Sequence, residues 1–243
     1  MEAIEQIKRS WKRLTPRNVT LATLYDLLFY LIVSGTVFIF AGFLNARTRN
    51  FDVDVFNTEN IAKATEYYQS MLNTLVLLII IYAIIFIIAW AIFKSLIWSE
   101  LMGRKFNLHH LKNFTILSTI WLVIWGLILF LFPLLIREGL QGAVFLVLLA
   151  VFLHTSVVVY ILFTKENLLR HSIHKGFSIA FGRIHHFIIP YLVIFALYYV
   201  VIVNVVFRIL MLIPAERLVQ GISIVITLVY VVWVRSYLIE VVR

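Results

Sequence analysis

Six runs of this chain are almost wholly apolar and each holds 20 or more residues: 21–44, 71–93, 114–136, 141–163, 187–211 and 218–238. A helix needs about 20 apolar residues to cross a hydrocarbon core of about 30 Å, and strands run far shorter. Neither a 3.6-residue nor a two-residue period dominates them, as expected of helices surrounded by lipid and by one another. The composition leaves no other solvent. Hydrophobic residues make up 63% of the 243 and charged ones 14%, with a mean hydropathy of +0.99. Soluble domains run near ~45–50% and ~25%. The expected fold is all-α: a polytopic transmembrane bundle of six spans, forming one membrane domain over 1–243 with a basic amphipathic segment at 1–20.

Lys and Arg fall mostly on one side of these runs. Lys8, Arg9, Lys12, Arg13 and Arg17 precede the first; Lys94, Arg104, Lys105 and Lys112 lie between the second and third. Lys165, Arg170, Lys175 and Arg183 lie between the fourth and fifth, and Arg235 and Arg243 close the chain. The other side and the span interiors hold Arg47, Arg49, Lys63, Arg137, Arg208 and Arg217. The positive-inside rule then puts both termini in the cytoplasm of a cell in whose plasma membrane the chain sits. The first apolar run is too long for a cleavable signal and reads as an anchor. Thr15-Pro16 reads as a helix cap and first turn, and Thr58-Glu59 as another helix start. A helix running from Glu59 to Phe93 would be about 50 Å long and overshoot the bilayer.

Each odd-numbered span follows a basic, amphipathic stretch. Ile4, Ile7, Trp11 and Leu14 share one helical face beside Lys8 and Lys12; Leu169, Ile173, Phe177, Ala180 and Ile184 share another beside Arg170 and Lys175. The middle stretch, Leu96 to Lys112, is interrupted by Gly103. Phe106-Asn-Leu-His109-His110 and Phe181-Gly-Arg-Ile-His185-His186 are loosely alike, so the pattern reads as three units of interfacial helix plus two-span hairpin. The six-span layout, the basic segments 95–112 and 165–187 and the closing Trp233-Val-Arg235-Ser-Tyr237 resemble prokaryotic six-span families related to the membrane domain of glycerophosphodiester phosphodiesterases and to YciC-like proteins. That resemblance implies no catalytic signature.

Basic interfacial residues gain about 1 kcal/mol each near an anionic leaflet. Lys8, Lys12, Arg13, Arg104, Lys105, Arg170, Lys175 and Arg183 are therefore the candidate lipid-headgroup contacts. Polar groups inside spans are costly and so point to function: Asp26, His154, Asn204 and Arg208. Asp26 suits a cytoplasmic-side base such as Arg235. Arg208 shares a face with Asn204 and suits Asn73 or Glu66. His154, with Thr155, Ser156, Ser34 and Thr36 at similar depth, would line a transport pathway. His171, His174 and His185 are the metal candidates, but no HExxH-type spacing occurs and no cofactor is expected. Asp52, Asp54, Asn57 and Glu59 are oxygen donors without an EF-hand's spacing. Cysteine is absent, which removes disulfide and thiol chemistry. No nucleophile elbow, phosphate loop or paired-carboxylate arrangement appears.

The leading expectation is a non-enzymatic membrane protein, accessory or lipid-organising, whose partners are anionic membrane lipids. A second copy or another membrane protein stays open as partner, and nucleic acid is disfavoured. A transporter or channel working through His154, and a lipid-modifying enzyme using the cytoplasmic histidines, are the alternatives.

Overall fold

Helix is the only regular structure among the residues that the computed structural model describes, 2–49, 61–210 and 215–242. The order is α1 (Glu2–Arg13), α2 (Pro16–Arg49), α3 (Ile61–Leu101), α4 (Leu108–Leu134), α5 (Gln141–Glu166), α6 (Leu169–Gly182), α7 (His185–Leu197), a π-helical segment (Tyr198–Phe207), α8 (Arg208–Leu210) and α9 (Glu216–Val242). Six of these are long and apolar enough to cross a membrane: α2, α3, α4, α5, the α7–α8 run and α9. The chain is an all-α, polytopic membrane bundle. The Thr58-Glu59 start and the acidic loop residues lie outside the described residues.

Local chemistry explains most helix ends. Thr15 Oγ1 accepts the Asn18 amide N–H (3.3 Å) while Asn18 Oδ1 accepts that of Thr15 (2.8 Å), a reciprocal cap that starts α2 at Pro16. The Asn107 side chain caps α4 by accepting the His109 N–H at 2.9 Å. Asn167 ends α5 in the left-handed region (φ 57°). Gly103 (φ 67°) makes the turn after α3. That turn changes the middle of the three-unit pattern. The stretch 96–112 forms no helix of its own; residues 96–101 finish α3 and 108–112 begin α4.

The π segment was not foreseen. Its Val200–Val206 stretch is β-branched except for Asn204.

Two compact units divide the chain, residues 28–90 and the remainder. In residues 28–90, Phe29 meets Phe86 and Trp90 edge-on, with ring centroids 5.9 and 5.7 Å apart, and Arg47 donates to Ser70 Oγ at 2.5 Å. Ser34, Thr36 and Thr74 return their hydroxyls to carbonyls four residues back.

In the larger unit the core is concentrated at one end. Buried residues run from His110 to Trp125 in α4, from Phe152 to Thr164 in α5 and from Leu228 to Glu240 in α9. The first half of α4 thus packs with the last halves of α5 and α9. Residues 158–164 of α5 are buried on every side, which makes this half-helix the hub. The opposite halves expose large apolar residues such as Phe130, Leu135 and Leu146, as lipid-facing surface does.

Candidate lipid-headgroup surface

The packed end carries the basic loops, and its ion pairs decide which bases remain available. Asp26 is fully buried. Lys94 Nζ lies 2.9 Å from its Oδ1, and the Arg235 guanidinium grips both carboxylate oxygens, with Nη2 3.1 Å from Oδ1. A planar fork on a carboxylate is the strongest form of this contact. The expected Asp26–Arg235 pairing is present. Lys94 departs from expectation: read as a loop cation, it is buried inside α3 as the second partner of Asp26.

A second pair fastens α1 to α9. Arg13 Nη2 lies 2.5 Å from Glu240 Oε1, with only 14% and 4% of their side chains exposed. The Asn18 amide holds the Arg13 carbonyl at 2.9 Å, Ser236 donates to the Ser10 carbonyl at 3.2 Å, and Trp11 lies 6.1 Å from Trp233. Tyr237 is fully buried and stacks on Trp233 at 5.5 Å. The closing segment of the chain is therefore the strip onto which α1 docks.

α6 doubles back along α5. Glu166 binds His171 at 3.1 Å and Lys175 at 2.9 Å, Gly176 meets Val159, and His154 reaches the Ala180 carbonyl. Falling numbers on α5 match rising numbers on α6, so the two are antiparallel over about 18 Å. The buried seam of α6 is Ser172, Gly176 and Ala180, small residues four apart. Of the apolar stripe read from the sequence, Ala180 lies in this seam, while Phe177 and Ile184 are exposed.

The headgroup candidates therefore separate into two groups. Arg13 belongs to Glu240 and Lys175 to Glu166, and the Arg104 guanidinium donates to the Lys165 carbonyl at the end of α5. Lys8, Lys12, Lys105, Arg170 and Arg183 are exposed, and among the described residues their side chains make no hydrogen bond or ion pair.

The intramembrane candidates are mostly accounted for by the bundle itself. A carbonyl only accepts, so His154 Nε2–H donates to Ala180 (3.0 Å), and Nδ1 then accepts the Tyr191 hydroxyl at 2.6 Å. Both ring nitrogens are used in linking α5, α6 and α7. Ser156 Oγ accepts the Trp121 indole N–H at 2.8 Å and donates its own hydroxyl to the Phe152 carbonyl at 2.6 Å. Asn204 donates to the Tyr199 carbonyl at 2.7 Å within the π segment, whose wider turn alters the four-residue face it was expected to share with Arg208. Arg208 is exposed.

Among the described residues no three His, Cys, Asp or Glu side chains converge to hold a metal. His171 is engaged by Glu166, His174 is exposed, and the His185 and His186 rings meet at a tilt with centroids 4.2 Å apart. His110 donates through Nδ1 to Asn167 Oδ1 (3.1 Å) and stacks on Phe163 at 5.4 Å, tying the start of α4 to the corner after α5.

Sequence reasoning missed the small-residue seam and the role of Glu240. Both left signals. Ser172, Gly176 and Ala180 stand at small-xxx-small spacing, and Glu240 is a lone acid in an apolar helix end.

Comparison with protein-family models, curated proteins and solved structures finds no match to this chain.

Proposed function

We propose that this is a lipid-organising or accessory protein of the cell membrane, non-enzymatic, with its packed end and both termini on the cytoplasmic side. One observation carries the reading. The packed end satisfies Arg13, Lys94, Lys175 and Arg235 with its own carboxylates, yet leaves Lys8, Lys12, Lys105, Arg170 and Arg183 exposed. Cations arranged this way around the end of a span are matched by an anionic leaflet.

The transporter reading draws less support, because His154, Ser34 and Thr36 are committed to hydrogen bonds within the bundle. The enzyme reading lacks a convergent group among the described histidines.

The test is reconstitution into nanodiscs holding equal phosphatidylglycerol and phosphatidylcholine. The bound lipid is expected to be enriched in phosphatidylglycerol. Joint replacement of Lys8, Lys12 and Arg170 by glutamine should reduce that enrichment. Equal retention of the two lipids by the unaltered protein would end this reading.

A further inference from the structure

Where α6 gives way to α7, a cavity of about 410 Å3 is lined by Arg183, His185 and His186, by Gln6 of α1, and by apolar residues including Ile189, Pro190 and Val242. Among the described residues no carboxylate lines it. The Arg183, His185 and His186 side chains are exposed and, among the described residues, form no hydrogen bond or ion pair. Beyond the cavity α7 continues as a membrane-spanning helix, and Ile188, Ile189 and Leu192 are exposed along its first turns.

Two other basic cavities lack this combination. A cavity of about 440 Å3 beside α1 includes Arg9, Lys12 and Arg13, but also Glu100 and Glu240. Arg9 and Arg13 there are already held by Glu5 and Glu240, so an incoming anion would meet acid. A third, of about 190 Å3, includes Arg104, whose guanidinium is committed to the Lys165 carbonyl.

An arginine fork with two imidazoles recognises a phosphate ester. Apolar walls leading onto an apolar helix face suit an acyl chain and leave a free phosphate ion poorly matched. We propose that the α6–α7 corner binds one anionic phospholipid, its phosphate at Arg183, His185 and His186 and its chain along the start of α7. This deepens, and rests on, the reading of the packed end as lipid-facing.

The experiment uses the full chain in nanodiscs of equal phosphatidylglycerol and phosphatidylcholine, with native mass spectrometry counting retained lipid. One phosphatidylglycerol is expected to persist after the annular lipids are stripped. Loss of a charge-assisted contact should make Arg183→Gln lower its retention about ten-fold. Arg183→Lys keeps the charge without the fork and should fall between. Arg170→Gln should lower retention much less, and Arg137→Gln, in the turn before α5, not at all. Because Arg183 is exposed, an unchanged thermal midpoint is expected and excludes misfolding as the cause. Equal losses for Arg170→Gln and Arg183→Gln would overturn the site and leave the general lipid reading standing. Equal retention of both lipids by the unaltered protein would overturn both. Displacement of the lipid by equimolar soluble glycerol phosphate would reassign the corner to free phosphate esters and overturn the proposal.

Discussion

α1 and α6 look alike as sequence and dock by different chemistry. Both are short, basic and amphipathic, and both precede a span. α1 is held on α9 by the Arg13–Glu240 ion pair, the Ser236 hydrogen bond and the Trp11–Trp233 contact. α6 is held on α5 by close backbone approach: an added Cβ at Gly176 would lie 2.5 Å from Val159 Cγ2 and 3.3 Å from Val159 Cα. The first attachment is polar at its centre; the second is steric at its centre, with the Glu166–Lys175 pair and the His154–Ala180 hydrogen bond on either side. An apolar face written into a sequence therefore does not say which residues will be buried. In lipid, large apolar side chains gain little by leaving the surface, so the seam forms where backbones approach or polar groups pair.

The sharpest test of this contrast is Glu240→Gln. It leaves the part-buried Arg13 opposite a neutral amide, and losing the charge of a mostly buried partner costs up to about 3–5 kcal/mol. Thermal unfolding in detergent should show that loss, and limited proteolysis should open α1 while α6 stays protected. Release of both helices together would break the comparison.

Next comes Gly176→Ala. Overpacking against the Val159 side chain, with its Cα close behind, costs about 1–3 kcal/mol, and here α6 should become protease-sensitive while α1 remains docked. Unchanged stability would mean that Val159 yields easily and that the seam is not steric.

His154→Leu removes the link between α5, the Ala180 carbonyl and Tyr191, leaving two polar groups without their partner. A loss of about 1–2 kcal/mol is expected, with faster hydrogen exchange at the end of α6. No flux of solute should appear or disappear in liposomes, in contrast to what a pathway residue would give.

The smallest effect belongs to Ser236→Ala, about 0.5–1.5 kcal/mol, confined to α1. Lys12→Gln, on the exposed side of the same helix, should stay within about 0.5 kcal/mol. A larger effect for Lys12 than for Ser236 would reverse the assignment of the docking face.

Of the site, sequence reading reached Asp26 and Arg235 as a pair, because an acid in a span requires a base at similar depth. It misplaced Lys94 because that residue stands at the edge of an apolar run, where a loop cation and a buried one look the same. It placed Phe177 and Ile184 on the apolar stripe of α6, where both stay exposed; Gly176, outside that stripe, lies in the seam by having no side chain.

The number, order and helical state of the spans follow from the sequence alone, since backbone polar groups in a bilayer must be satisfied within each segment. The cap at Thr15 and the turn at Gly103 are local in the same way. Which cations are spent on carboxylates and which stay exposed is a property of the fold. Asp26, Lys94 and Arg235 come from three separate helices, and Arg13 and Glu240 from opposite ends of the chain. Such long-range pairing depends on how the helices assemble, and no local pattern encodes it.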